Sequence, residues 1–182
     1  PVKIITTAEG GLATTNCPKL AQKIQLLRSH GITRESGQMQ GEYQGDWYYQ
    51  QIDLGFNYRM TELQGALGVS QMKNLDKFIG KRHEIAKRYD ELLPCLPIIL
   101  PSKNPNNRSA LHLYPIQIHP TFHKRRKQVF DELRQQGIGV NVHYIPIHMQ
   151  PYYQKMGFKQ GDFPNSENYY ANAISLPIYY DF

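Results

Sequence analysis

The chain has 182 residues, of which 21 are Lys or Arg and 15 are Asp or Glu, so its formal net charge is +6. Hydrophobic residues make up 40% and charged residues 20% of the sequence, a balance that excludes an intrinsically disordered chain. The longest apolar run, residues 92–101, is interrupted by prolines and is shorter than the roughly 20 residues that a membrane-spanning helix needs.

Cysteine use and basic residues narrow the class of protein further. Cys17 and Cys95 are too few for a disulfide framework and lack metal-ligand spacing, so we expect a reducing, cytoplasmic compartment. The basic run 123–127 opens an amphipathic stretch and is interpreted as a solvated helix face, with nucleic-acid binding as the alternative. Because no nucleic-acid motif accompanies it, we do not expect a nucleic acid as partner. The short apolar run at residues 92–101 likewise gives no reason to expect a membrane.

The first third of the chain is predicted to form a turn, a strand, a helix and a long loop. Glu9-Gly10-Gly11 is typical of a turn, and residues 12–15 have the pattern of a short strand. Pro18 suits the first turn of a helix, which the apolar spacing extends to Gly31. The loop that follows, residues 31–57, is rich in aromatic side chains, which favours a functional loop over a disordered linker.

Two helices are predicted next. Thr61-Glu62-Leu63-Gln64 matches a capping box and opens a helix that runs to about residue 75. The second helix covers 76–93. Its apolar inward face is formed by Ile79, Ile85, Ala86 and Tyr89, and its basic solvated face is formed by Arg82, Lys87 and Arg88. Prolines at 94, 97, 101 and 105 then indicate a change of layer, so we predict one domain over residues 1–94 and another over 95–182.

The second domain is predicted to be a small α/β unit. Its apolar patterns indicate strands over 111–118 and 140–144, a helix over 124–136, and short helices near 152–156 and 167–173.

Lys3 is the first candidate for chemistry. It precedes a hydroxyl-rich and glycine-rich stretch, Thr6 to Gly11, which would let a planar cofactor approach the backbone. A lysine amine attacks carbonyl groups once it is neutral, which requires a partly buried or cation-adjacent position. The spacing alone also fits an ordinary surface lysine beside a turn.

The second candidate is the segment 143–148, in which His143, Tyr144 and His148 follow a predicted strand. These side chains could be structural polar groups at a strand end, or donors to a hydroxylated ligand. A metal site has less support, because no carboxylate neighbours the histidines and the sequence shows no third ligand. We therefore predict no metal.

Seven segments form an ordered set that covers essentially the whole chain: PVKIITTAEGG at 1–11, RSHG at 28–31, LGFNYRM at 54–60, ELQGALG at 62–68, HLY at 112–114, VHYIPIH at 142–148 and SLP at 175–177. In this order they resemble the sugar aminotransferases of the DegT/StrS family, which depend on pyridoxal 5'-phosphate (PLP). The resemblance implies an α/β fold, the C-terminal half of a fold type I PLP-dependent aminotransferase. That half comprises the end of the large domain and a small α/β domain.

Residues 29–34, 47–51 and 143–153 are most similar to the branch of this family that acts in pseudaminic acid biosynthesis. This likeness implies amino transfer from glutamate to C4 of a UDP-linked 4-keto-6-deoxy-N-acetyl sugar. A non-catalytic regulatory or interaction protein of aminotransferase-like sequence is the alternative, although retention of Lys3 argues against it.

The resemblance also assigns roles to individual residues. Lys3 would bond to PLP and then move a proton as general base and acid, and Asn57 would reach the cofactor phosphate of a neighbouring subunit. Tyr58 and Arg59 would lie at the interface of a homodimer and bind the substrate, with Arg59 or Arg34 facing the nucleotide diphosphate. The sugar would be approached from the second domain, by His143, Tyr144 and His148.

Several groups that the family uses have no counterpart in this chain. They are a serine five residues before the lysine, the aspartate that pairs with the pyridine nitrogen, and the aromatic side chain that stacks on the ring. In the family these groups lie in a preceding large domain. We therefore expect these 182 residues to be inactive, or nearly so, by themselves.

Overall fold

A computed structural model describes residues 3–182, so Pro1 and Val2, the first two residues of the lysine segment, lie outside the described part. The chain forms two compact units that divide between Lys73 and Asn74. This division comes earlier than residue 95, where the sequence suggested a domain boundary. The assignment of 1–94 to a cofactor-binding domain and of 95–182 to a small domain stays a prediction.

The first unit combines two helices with a two-stranded sheet. Its elements are α1 (Pro18–Arg28), β1 (Ile32–Thr33), a 3₁₀ turn (Ser36–Gln38), β2 (Gln50–Gln51) and α2 (Glu62–Met72). Strands β1 and β2 are antiparallel, with Ile32 opposite Gln51. The prediction of a strand over residues 12–15 is wrong. This stretch forms no β-sheet pairing with any other part of the described chain, and Leu12 is exposed.

Local sequence signals explain both helices. Cys17 is the N-cap of α1 and Pro18 its first residue, as expected, since proline at that position loses no intrahelical hydrogen bond. The capping box at the start of α2 is confirmed, because the Thr61 side chain accepts from the Gln64 N–H while the Gln64 side chain accepts from the Thr61 N–H.

The first unit buries few of its apolar side chains. Neither α1 nor α2 contains a buried residue, and no apolar side chain among residues 3–73 is buried. Leu54 and Leu63 are 83% and 85% exposed. Exposed apolar surface on this scale is typical of a face that contacts another part of a protein or another chain.

The second unit is built on a three-stranded antiparallel sheet. Its elements are α3 (Leu75–Leu92), β3 (Ile98–Ile99), β4 (Tyr114–Ile118), α4 (Arg126–Gln135), a 3₁₀ turn (Ile147–Met149), α5 (Pro151–Gln154), α6 (Pro164–Asn172) and β5 (Ala173–Leu176), with sheet order β3-β4-β5. The strand predicted over 140–144 is reduced to one bridge between Asn141 and Ser175. The Val142 N–H donates to the Asn141 side chain, so it is not available to a sheet ladder.

The core of the second unit lies between α3 and the central strand. Tyr114, Ile116 and Ile118 alternate along β4 as buried residues and cluster with Ile85 and Ala86 of α3. The apolar face predicted for the second helix is thus confirmed for this pair. The buried Tyr114 hydroxyl donates to an Asp90 carboxylate oxygen at 2.7 Å, which satisfies its polar end, and burial raises the pKa of Tyr114.

The prediction that Arg82 lies on the solvated face of α3 is wrong. Its side chain is buried, and Nη1 donates to three backbone carbonyls: Ile178 at 2.6 Å, Leu111 at 3.1 Å and His112 at 3.2 Å. Burial lowers the pKa of Arg82. The guanidinium therefore joins α3 to two distant segments of the second unit.

Candidate functional site

Lys3 lies on the wall of a cavity of about 910 Å³ in the first unit. One wall is the turn that follows it, from Ile5 to Leu12. The other wall is the start and one face of α2, formed by Met60, Gly65, Gly68, Val69, Met72 and Lys73. The cavity is wide enough for a ligand of cofactor size, and most of its lining is apolar, as in sites that hold planar organic molecules.

The turn after Lys3 is shaped by its own hydroxyl groups. Thr6 Oγ1 accepts from the Ala8 N–H at 3.0 Å, and Thr7 Oγ1 donates to the Glu9 carbonyl at 3.0 Å. Ala8 has a positive φ of 67°, an uncommon conformation for a residue with a Cβ. These bonds shape the turn that forms one wall of the cavity.

Gly10 permits the close packing of this turn against the start of α2. A Cβ at Gly10 would overlap Thr7 Oγ1 and lie 2.8 Å from Met60 Cε. The residues present fit the cofactor that the resemblance implies, because they combine two lysine amines, those of Lys3 and Lys73, with threonine hydroxyl groups and an apolar wall around a single cavity.

Asn57 lies on a segment that runs against the C-terminal end of α1. The Phe56 N–H donates to the Leu27 carbonyl at 2.7 Å, and the Tyr58 N–H donates to the Arg28 carbonyl at 2.9 Å. Gly55 allows this approach, since a Cβ there would lie 2.6 Å from the carbonyl carbon of His30. The backbone bonds hold Asn57 in place.

Arg59 lies in a second pocket of the first unit, with a volume of about 440 Å³. Its other lining residues are Ser29, His30, Ile32, Arg34 and Tyr49. Arg34 Cζ is 6.0 Å from the centre of the Tyr49 ring. Two guanidinium groups beside an aromatic ring offer forked N–H donors and a stacking surface, which suit phosphate oxygens and a planar base.

Tyr58 and its neighbours form an exposed aromatic surface. The Tyr58 ring stacks on Phe56 with their centroids 4.9 Å apart, and 72% of Tyr58 is exposed. Trp47 is 73% exposed. The loop of residues 31–57 thus presents large apolar side chains to solvent.

The candidates in the second unit have different surroundings. His143 Nδ1 is 2.8 Å from Ser175 Oγ, and the neighbouring Tyr144 is exposed. His148 is buried, and its Nε2 is 2.8 Å from Glu167 Oε1. His148 therefore has a partner inside the protein, and its predicted contact with a sugar stays a prediction.

Glu167 links three parts of the second unit. Besides the bond with His148, Oε1 accepts from the Gly161 N–H at 2.8 Å and from the Phe163 N–H at 3.4 Å. The hydrogen bond from His148, followed by that from Gly161, lowers the pKa of Glu167 below its ordinary value of 4.5. Ionised Glu167 thus stabilises the segment around residues 147–163.

Glu167→Gln is expected to make the stability of the protein less dependent on pH in the acid range. A group whose pKa is lower in the folded state stabilises the fold above its unfolded pKa, and this stability is lost as the pH falls through the folded value. The melting temperatures of the wild type and of Glu167→Gln should therefore differ most near neutral pH and converge below 4.5. A difference that stays constant over the whole acid range would contradict this assignment.

The described part of the chain has neither a metal-binding cluster nor a membrane-spanning helix. No three His, Cys, Asp or Glu side chains among residues 3–182 lie close enough together to hold a metal ion. Over the same residues, no helix has both the length and the apolar character required to cross a membrane.

Sequence reasoning missed one contact of the site. The Gln64 side chain was identified as part of the capping box, but its Nε2 also donates to the Glu9 carbonyl at 2.9 Å. The capping motif orients this amide, but no local pattern shows that its free N–H reaches the turn after Lys3.

Comparison with known proteins places the chain in a family. The chain is 37% identical over 180 residues to the UDP-4-amino-4,6-dideoxy-N-acetyl-beta-L-altrosamine transaminase of Campylobacter jejuni, covering 98% of this chain and 45% of that protein. It is 39% identical to the spore coat polysaccharide biosynthesis protein SpsC of Bacillus subtilis, covering 97% of this chain and 46% of SpsC. The chain thus spans about half the length of the curated relatives it matches.

The fold agrees with these relatives. The structure of Helicobacter pylori PseC, an aminotransferase involved in the biosynthesis of pseudoaminic acid, matches with a TM-score of 0.84 and 34% identity, covering 98% of this chain and 46% of PseC. This match confirms the predicted fold class. The model of the DegT/DnrJ/EryC1/StrS aminotransferase family matches residues 1–182. The chain therefore belongs to the DegT/DnrJ/EryC1/StrS aminotransferase family.

Proposed function

We propose that the protein carrying this chain is a PLP-dependent nucleotide-sugar aminotransferase in which Lys3 bonds to the cofactor. The observation that carries the proposal is the position of Lys3 on the wall of the 910 Å³ cavity, in a chain that matches an aminotransferase family from end to end. When bound, PLP would act as an electron sink that stabilises the negative charge developing at the amino-bearing carbon.

Lys3 has two tasks in this proposal. In the resting enzyme Lys3 would hold the cofactor through its Nζ, which the amino donor would displace on binding. The freed Nζ then takes a proton from the α-carbon of glutamate and, in the second half of the cycle, delivers a proton to C4 of the sugar. A positioned general acid and base of this kind contributes roughly 10²–10⁴-fold to a rate.

The first unit also supplies the anion-binding groups. The Asn57 side-chain amide donates to a cofactor phosphate oxygen, a role that suits its two N–H donors. Arg59 and Arg34, which line one pocket, bind the nucleotide diphosphate through their guanidinium groups. His143, Tyr144 and His148 belong to the sugar end of the substrate in this assignment.

The exposed aromatic surface of the first unit supports a homodimer. Trp47, Leu54 and Tyr58 are each more than two-thirds exposed, although side chains of this size are normally buried. Pairing with a second copy would cover them and bring Asn57 toward the neighbouring active site. A cytoplasmic location fits the two cysteines of the chain, Cys17 and Cys95, which are both free thiols.

The substrate in this proposal is a UDP-linked 4-keto-6-deoxy-N-acetyl sugar, and glutamate is the amino donor. The similarity to the Campylobacter jejuni transaminase supports this substrate class. The test uses the protein expressed with any sequence that flanks this chain, saturated with PLP and mixed with glutamate and the keto sugar. Formation of 2-oxoglutarate and of a UDP-4-amino sugar in equal amounts is expected. Turnover of a dTDP-linked keto sugar in preference would keep the reaction class but reject the proposed nucleotide.

A further inference from the structure

The segment that carries Lys3 has no regular secondary structure. Residues 3–16 form bends and extended backbone, and the hydroxyl bonds of Thr6 and Thr7 connect residues only two positions apart. Bonds of this kind shape the turn, but they do not fix its place relative to the opposite wall of the cavity. A contact with another element is needed for that.

Gln64 makes such a contact. Its Nε2 donates to the Glu9 carbonyl at 2.9 Å, across 55 residues of sequence. The same carbonyl accepts from Thr7 Oγ1, so both of its lone pairs are used. Glu9 is therefore a point at which a side-chain hydrogen bond joins the turn after Lys3 to α2.

The orientation of the Gln64 amide is fixed by the start of α2. Its Oε1 accepts from the Thr61 N–H at 3.0 Å and from Thr61 Oγ1 at 3.1 Å. Since the oxygen end is held by the N-cap residue, the nitrogen end faces the turn. One side chain thus serves the helix cap with one atom and the turn with another.

We propose that Gln64 is a positioning residue for Lys3, an inference that rests on the proposed function. Because the Gln64 amide is fixed at the N-terminus of α2, its bond holds the Glu9 carbonyl in place. The turn connects Glu9 to Lys3, which lines the same cavity. Loss of this bond removes a hydrogen bond between the turn and α2, so the amine is less accurately placed against a bound cofactor. Errors of about 1 Å in such a placement are sufficient to slow chemistry strongly.

Gln64→Glu separates the two roles of this side chain. A carboxylate still accepts from the Thr61 N–H, and glutamate is a normal residue at this position of a capping box, so α2 keeps its cap. A carboxylate has no N–H, however, and it repels the Glu9 carbonyl. Gln22→Glu is the matched control, because Gln22 is an exposed residue of α1 and the charge change is the same.

The experiment compares the wild type, Gln64→Glu and Gln22→Glu in the intact protein. Without cofactor, hydrogen exchange at residues 5–11 is expected to be about tenfold faster in Gln64→Glu, with no change in α2, because the bond to the Glu9 carbonyl is lost and repulsion is added. When PLP is added, it should bond to Lys3 more slowly in this variant than in the wild type. The pH midpoint of the visible absorption band of the bound PLP should also be shifted. The control should match the wild type in all three measurements.

Two results would overturn the proposal. One is unchanged exchange, bonding rate and absorption midpoint in Gln64→Glu. The other is faster exchange throughout α2, which would show that Gln64 acts only as a helix cap. If the wild type itself bonds no PLP at Lys3, the proposed function fails, while the exchange at residues 5–11 still reports whether Gln64 ties down the turn.

Discussion

Lys3→Ala is expected to lower the rate of amino transfer by at least about a thousandfold, because it removes both the covalent bond to the cofactor and the group that moves the proton. The measurement is 2-oxoglutarate formation from glutamate in a single turnover, which isolates the first half of the reaction from binding of the sugar. The melting temperature of the variant without cofactor should stay close to that of the wild type, since Lys3 is exposed.

Lys19→Ala is the control for this experiment. Lys19 is an exposed lysine of α1 and is not among the residues that line the cavity, so its removal should leave the single-turnover rate unchanged. A Lys3→Ala protein that transfers amino groups within a few-fold of the wild-type rate would show that another group moves the proton.

Arg82→Met is expected to destabilise the protein by about 3 kcal/mol, because three carbonyls lose a charged donor and a buried polar group left unpaired costs about 1–3 kcal/mol. The methionine side chain fills much of the same volume, which limits the cost to lost hydrogen bonds. Chemical denaturation followed by circular dichroism measures this change as a shift of the unfolding midpoint.

Arg88→Met on the same helix is the matched control for Arg82→Met. Arg88 is exposed, so the expected change in the free energy of unfolding is within about 0.5 kcal/mol. Equal effects of the two substitutions would mean that the buried guanidinium contributes nothing beyond the helix propensity of arginine. The difference between the variants isolates the contribution of the three carbonyl bonds.

Local sequence signals predicted much of the fold. Pro18 and the Thr61–Gln64 capping box were sufficient to place the starts of α1 and α2, because both act within one turn of helix. Residues 12–15 failed as a strand because β-structure also requires a partner, which a local pattern does not reveal. The strand over 140–144 failed for a related reason, since the Asn141 side chain captured a backbone N–H.

The errors at polar residues have a common physical origin. Arg82 follows the polar spacing of a solvated face, but the carbonyls that bind it lie 29, 30 and 96 residues away. Gln64 carries a recognisable local motif, and its second bond reaches a residue 55 positions earlier. Long-range partners of this kind follow from the fold and have no signature in the neighbouring sequence.

The candidate site was predicted in part. Lys3 and Asn57 were singled out by resemblance, and the structure adds the cavity that Lys3 lines and the backbone bonds that hold the Asn57 segment. The roles of both residues stay predictions, as do those of Tyr58, Arg59, His143, Tyr144 and His148. The family, by contrast, is established by the match over the whole chain.

The most direct test of the central claim is to locate bound PLP on the protein. The intact protein is saturated with PLP, reduced with borohydride, digested and analysed by mass spectrometry, since reduction turns a carbon–nitrogen double bond into a stable amine. The proposed function predicts a phosphopyridoxyl group on Lys3 and on none of the other exposed lysines, such as Lys19. An unmodified Lys3 in the presence of excess PLP would contradict it.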